Sequence, residues 1–288
     1  MKEIVVISGK GGTGKTSITG ALATMLPNIL LADCDVDAPD LHLLLQPDIQ
    51  KREKFSGSKI ARIDKNMCSE CGVCRDVCRF DAITPDFVVE DISCEGCGVC
   101  VWNCPEKAIS FNDRDSGEWY VSTTRFADMV HARLHPGEEN SGKLVSQVRK
   151  AAHQIAEEKE VDILLVDGPP GVGCPVISSI GGADLLLVVV EPTRSAIHDM
   201  QRALQLAQHF KVHASVCINK CDINDEMTLE IEAYCAKEKL SILGKIAYNK
   251  SFIASQIQGK AASELNIPEL NRSFNMLSKS ILSKLATI

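Results

Sequence analysis

Three features of this sequence predict an α/β protein with a mostly parallel, doubly wound sheet and a small α+β insertion. Short apolar runs alternate with helix-patterned stretches, a glycine-rich loop follows the first run, and a cysteine-rich segment in mid-chain repeats itself. With 288 residues, 45% of them hydrophobic, the chain can bury one sizeable core and one small module.

EIVVISG reads as a buried strand, followed by a glycine-rich turn and a helix over Thr16 to Met25. ILLADCD is a second strand ending in acidic residues. Gly142 to Lys159 has helical periodicity, and VDILLVDGPPG is a strand that runs into an aspartate and a Gly/Pro turn. ADLLLVVVEP and HASVCINKCD are two more strands, separated by a helix through Ala196 to Phe210. Such alternation gives a parallel sheet covered on both faces, with ligands at the strand C-termini. Residues 64–112 break the alternation. The expected division is therefore a discontinuous domain of residues 1–63 and 113–288, with an inserted domain of residues 64–112.

A formal net charge of -7, from 31 basic and 38 acidic residues without a long basic block, disfavours nucleic acid as a partner. Met1 leads directly into an apolar strand, with no charged leader and no apolar span of ~18 residues, so a cytoplasmic protein without stable membrane insertion is expected. Thirteen cysteines in such a chain point to metal rather than disulfides, and eight of them lie between Cys68 and Cys104.

GKGGTGKT, Gly9 to Thr16, has the P-loop spacing of Gly, four residues, Gly, Lys, Thr between a strand and a helix. Gly9, Gly11, Gly12 and Gly14, with Thr13 among them and Ser17 just beyond, let backbone N–H groups close around phosphate oxygens at a helix N-terminus. Lys15 is expected on the β- and γ-phosphates and Thr16 on Mg²⁺. Lys10 is a second lysine at the start of the loop. On this signature the chain resembles the deviant Walker A ATPases of the MinD/ParA class, over about 240 residues outside the insertion. The resemblance implies a P-loop NTPase fold, an ATP-dependent homodimer and a Lys10 that crosses to the partner's nucleotide. It also implies that Asp167 holds Mg²⁺ through water, that GPPG responds to the γ-phosphate, and that Asp35, rather than Asp33 or Asp37, orients the attacking water. Asn219 would contact adenine. NKCD, Asn219 to Asp222, equally looks like the guanine-reading Asn-Lys-x-Asp of GTPases, which leaves GTP as the alternative to ATP.

The stretches CSECGVCRDVCRFDAI and CEGCGVCVWNCPEKAI match at every cysteine, at Gly-Val and at Ala-Ile, with a constant offset of 26 residues. Each reads Cys-x2-Cys-x2-Cys-x3-Cys, the spacing of bacterial two-cluster ferredoxins, where the fourth cysteine of each run serves the other cluster. The resemblance assigns Cys68, Cys71, Cys74 and Cys104 to one [4Fe–4S] cluster and Cys78, Cys94, Cys97 and Cys100 to a second. Gly72 and Gly98 stand where the backbone passes close to a cluster. Pro105 keeps the ferredoxin pattern, whereas Arg79 departs from it. Two Cys₄ zinc sites are the alternative, disfavoured because zinc knuckles place a longer loop between Cys-x2-Cys pairs.

Cys34, Cys217, Cys221 and Cys235 lie in or near apolar segments and read as small buried hydrophobes. Cys174 follows Asp167 by seven residues, the offset of a cluster ligand in the nitrogenase iron protein, but no cysteine between Cys104 and Cys174 completes such a set. His42, His131, His135, His153, His198, His209 and His213 show no ligand spacing. Leu270, Phe274, Leu277, Ile281 and Leu285 form a helical stripe expected in the core rather than on a membrane. Together these readings point to a nucleotide-switch ATPase that couples ATP hydrolysis to electron delivery, or to iron–sulfur or metal-cofactor assembly, on a client protein. The alternatives are a spatial organiser with redox-sensing clusters and an iron–sulfur cluster carrier.

Overall fold

The computed structural model describes residues 1–139 and 141–288. The chain forms two compact units, one of Met1–Arg52, Trp119–Arg133 and Ser141–Ile288, the other of Glu53–Glu118 and Leu134–Asn140. In chain order the elements are β1 (Lys2–Ser8), α1 (Lys15–Ala23), β2 (Ile29–Asp33), α2 (Leu41–Leu45), β3 (Asp48–Phe55), β4 (Ser58–Ile63), α3 (Val73–Asp76), α4 (Val99–Asn103), β5 (Ile109–Arg114), β6 (Gly117–Thr123) and β7 (Asp128–Leu134). There follow α5 (Ser141–Glu158), β8 (Ile163–Asp167), α6 (Cys174–Ile180), β9 (Leu185–Val190), α7 (Arg194–His209), β10 (His213–Asn219), α8 (Asp225–Lys237), β11 (Ser241–Ile246), α9 (Ser251–Ile257) and α10 (Pro268–Leu285).

The large sheet has the order β11-β10-β9-β1-β8-β2-β7-β6-β3, and every neighbouring pair from β11 to β7 is parallel. Parallel strands covered on both faces need apolar side chains at every position, which is why Ile4 to Ile7 and Leu185 to Val190 read as unbroken runs and are buried throughout. The predicted helical stripe on α10 is buried: Leu270, Phe274, Leu277, Ile281 and Leu285 all join the core beneath the sheet. Register brings Asp33 level with Asp167 at the C-terminal edge. Strand β2 stops at Asp33, short of the acidic tail predicted for it, because the Asp33 carboxylate accepts the Asp35 N–H at 3.1 Å and turns the chain out of the sheet. Helix α1 stops at Ala23 instead of Met25, where the Thr24 N–H bonds to the Ala21 carbonyl in a tightened last turn. Among the described residues no helix is long and apolar enough to cross a membrane.

In the second unit β4 and β5 pair antiparallel from Ser58–Arg114 to Ile63–Ile109, so the two ends of the cysteine segment are joined outside the segment itself. The short helices α3 and α4 start at the same place in each repeat, after Gly72 at φ +83° and Gly98 at φ +77°. Both turns need the left-handed backbone that glycine adopts without strain. Ala61, Cys74, Ile83, Phe87, Val89 and Ile109 form a small core, with Cys68, Cys78, Cys94, Cys100 and Cys104 packed against it.

Candidate functional site

The loop between β1 and α1 closes over a cleft of about 610 Å³, within the size range of small-molecule sites. Gly12 and Gly14 hold φ of +81° and +92°. A Cβ on Gly14 would also lie 2.3 Å from Asn219 Nδ2, which donates to the Thr13 carbonyl at 2.7 Å. Asn219 thus clamps the loop from the end of β10 while lining the cleft, and its Oδ1 is buried without a partner. Gly11, Lys15, Thr16, Ser17, Asp35, Pro169 and Pro170 line the same space.

Asp167, at the end of β8, is fully buried behind Lys15 and Thr16, which line the cleft. Its Oδ2 accepts from Thr16 at 2.7 Å and lies 3.0 Å from the Lys15 ammonium, while its Oδ1 accepts from Thr19 at 2.8 Å. Lys15 is also 3.6 Å from Asp35. Burial opposes the charge on Lys15, but Asp167, Asp35 and Asp33 together outweigh it and raise the lysine above its ordinary value. Burial, with Asp167 adding to it and Lys15 opposing, pushes the Asp35 carboxyl up to about 6. Asp33 is pushed well up by burial and by Asp167; it serves as a backbone clamp, accepting from Asp35 and from the Leu41 N–H. Asp37 accepts from the Ser141 hydroxyl. Thr19 was not singled out from the sequence, although it stands four residues after Lys15 and hence on the same helix face.

Lys10 lies 2.8 Å from Glu191 Oε1 and donates to Ser195 at 3.2 Å. The other oxygen of Glu191 takes Lys220 at 2.7 Å, and Lys220 also donates to the Gly12 carbonyl at 3.0 Å. Burial works against the Glu191 carboxylate, but the two lysines hold it below its ordinary value. Sequence reasoning missed Glu191, whose only signal was its place at the end of the strand ADLLLVVVEP. Asp222, from the Asn-Lys-x-Asp stretch, accepts the Tyr248 N–H at 2.6 Å and is not part of the cleft lining. In the GPPG turn Gly171, at φ +91°, donates its N–H to the Ser8 carbonyl at 2.9 Å. Cys174 opens α6 and is exposed. Cys34, Cys217 and Cys235 are buried, whereas Cys221, grouped with them by sequence, is only partly so because it follows the end of β10.

The repeated cysteines surround two cavities. One is lined by Cys68, Cys71, Cys74 and Cys104, with Ile63, Phe87 and Ile109. The other is lined by Cys78, Cys94, Cys97 and Cys100, with Ala61, Ile83 and Val89. Each cavity takes three cysteines from one repeat and the last cysteine of the other. Cys104 Sγ accepts the Ala108 N–H at 3.3 Å, the kind of bond that stabilises a thiolate. Among the described residues no three His, Cys, Asp or Glu side chains converge as a single metal ion requires.

The CobQ/CobB/MinD/ParA nucleotide binding domain family matches residues 4–262. The chain belongs to this family. Members of the MinD/ParA class are ATP-binding proteins, and the matched residues include the loop between β1 and α1. The chain is 38% identical over 226 residues to an uncharacterised protein of Methanocaldococcus jannaschii, covering 77% of this chain and 79% of that protein. It is 24% identical over 288 residues to an iron–sulfur cluster carrier protein of Pyrococcus horikoshii, covering 92% and 78% of the two chains. Among solved structures, the septum site-determining protein MinD of Pyrococcus horikoshii, complexed with Mg-ADP, superposes with a TM-score of 0.62 at 18% identity, over 99% of this chain and 97% of that one. That likeness shows a shared MinD-type α/β fold.

Proposed function

We propose that this MinD/ParA-family protein is an ATP-driven switch that carries two [4Fe–4S] clusters and couples nucleotide turnover to electron delivery, or to metal-cofactor assembly, on a client protein. The observation that carries the proposal is the pair of cavities, each bounded by four thiols drawn crosswise from the two repeats, in a chain of a nucleotide-binding family. Cys68, Cys71, Cys74 and Cys104 would hold one cluster, and Cys78, Cys94, Cys97 and Cys100 the other. Four thiolates around an apolar cavity suit an iron–sulfur cluster better than zinc, which needs its donors about 2.3 Å from one point. When bound, such clusters supply reversible one-electron capacity.

In the cleft, Thr16 and Asp167 would hold Mg²⁺, Lys15 would turn from Asp167 to the phosphates, and Asp35 would orient water. ATP is favoured over GTP because Asp222, the residue a guanine would need, is engaged by the Tyr248 backbone outside the cleft lining. Lys10 would leave Glu191 to serve the nucleotide of a second copy in an ATP-dependent homodimer. Residues 64–112 would act as the inserted ferredoxin-like domain.

The likeness to an iron–sulfur cluster carrier supports a second reading, in which the clusters themselves are the cargo. One experiment separates the two. Anaerobically purified protein should contain about eight irons per chain, as two Cys₄ cubanes require, and keep them on incubation with an apo-acceptor. Release to the acceptor would favour the carrier, and stoichiometric zinc would reject both. Cys104→Ala should damage the cluster of the first repeat and spare the second.

A further inference from the structure

The chain's charge is divided unevenly. The unit of Glu53–Glu118 and Leu134–Asn140 has 15 acidic and 8 basic residues, while the rest has 23 of each, so the whole net charge of -7 falls on the cysteine unit. Ligation by thiolates would make it more negative still. Two of its acids stand at the cavities, Glu106 on the first and Glu95 on the second. Both are exposed, and no ion pair holds either one among the described residues.

In the chain between these acids, on α4, stands Trp102, which at 74% exposure is the only aromatic side chain more than half exposed among the described residues. A lone exposed apolar residue is ordinary, but two observations set this one apart. Its ring is held: a Cβ on Gly98 would lie 3.3 Å from Trp102 Cζ2 and from two carbons of the Phe111 ring, so both rings close over that glycine. Phe111 in turn carries the Lys59 ammonium at 5.6 Å, which Asp113 holds at 3.1 Å. The repeat also does not need it. At the offset of 26 residues the twin of Trp102 is Asp76, exposed on the matching helix α3. A large ring that is exposed yet fixed in place loses little freedom on binding.

We propose that the face carrying Trp102 is the docking surface for a one-electron carrier protein whose own face is basic around an apolar centre. The proposal rests on the cluster reading above and adds the class of partner. Trp102 enters the apolar centre, and Glu95 and Glu106 meet the basic rim. Trp102 is two residues from Cys100 of the second cavity and two from Cys104 of the first, so a carrier seated on it lies beside both cysteine sets. One electron passes between cluster and carrier, one being oxidised as the other is reduced, and no proton moves.

The probe is cytochrome c, a haem protein with a basic face around an exposed haem edge. The full chain, purified anaerobically with its iron, is titrated calorimetrically with the oxidised probe; electron exchange is then followed after chemical reduction and removal of excess reductant. Wild type should bind, and exchange should slow as ionic strength rises to about 0.15 M, where charges are screened beyond about 8 Å. Trp102→Ala and Trp102→Asp should each weaken binding by about tenfold, with iron content and midpoint potentials unchanged. The second variant installs the twin's residue and adds a charge that favours a basic probe, so its weaker binding isolates the ring. Glu95→Gln combined with Glu106→Gln should lower affinity and flatten the salt dependence. Undiminished binding in both Trp102 variants overturns the proposal, as does equal affinity of wild type for flavodoxin, an acidic carrier. Iron loss or shifted potentials in both variants overturns it in favour of a ring that covers the cavity. No binding by iron-replete wild type overturns it alone, whereas failure of wild type to hold iron overturns the cluster reading beneath it.

Discussion

Asp35 carries two pH effects of different sign. In its proposed role of orienting water Asp35 must be a carboxylate, so with its carboxyl at about 6 turnover should fall as pH drops through that value. Stability runs the other way. An acid raised in the folded state binds its proton more tightly there than in the unfolded chain, so its stabilisation is complete below about 3.9 and is lost as pH rises through about 6. A pH–rate profile without an acid limb near 6 would remove Asp35 from the reaction. Thr19 acts on the neighbouring carboxylate. Because it and Asp167 are both fully buried, Thr19→Val should cost about 1.5–3 kcal/mol, the worth of a hydrogen bond to a charged group. Chemical denaturation measures that loss, and Thr19→Ser should restore most of it; a Val variant as stable as wild type would show that Asp167 does not depend on this hydroxyl.

Strand β7 places His131 level with Asp33, where it stacks on Tyr120 at 4.9 Å and bonds Ser122 at 2.9 Å. Burial and the nearby His42 lower its imidazole to about 4. A base lowered on folding resists protonation in the native state, so its contribution is present above about 6.5 and is lost as pH falls towards 4, at no more than about 1.4 kcal/mol per pH unit. The window overlaps that of Asp35 with the opposite slope, so these two contributions oppose each other. His131→Gln should abolish the His131 slope and leave the variant relatively more stable at pH 4.5 than at pH 7, read from equilibrium unfolding at both values. None of this was visible in the sequence, where His131 is one of seven histidines without ligand spacing. Buried strands and the α10 stripe were legible because their periodicity is local. The ends of β2 and α1 were not, since they depend on a side chain folding back on its own backbone and on the geometry of one last turn.

The glycine-rich loop and the cysteine repeat were readable as motifs because each is written in a few consecutive residues. Glu191 was not, because its meaning comes from Lys10 and Lys220, which reach it from two other strand ends. Their meeting bears on assembly. Lys10→Ala should bind nucleotide as wild type does yet fail to dimerise or hydrolyse it, whereas Lys15→Ala should lose affinity as well. Size exclusion with a non-hydrolysable ATP analogue decides the matter, and a Lys10→Ala variant that dimerises as stably as wild type would end the proposal that Lys10 serves the nucleotide of a second copy. The crossed walls of the two cysteine cavities have a further consequence, one that concerns history. A tandem duplication normally leaves a spare copy that can drift or be deleted. Once each copy supplies the fourth wall of its sister's cavity, deleting either opens both, and a change in the length of the chain between them is felt on two sides at once. The two repeats can then diverge in their outer residues, as Arg79 and Pro105 have, but only as a pair.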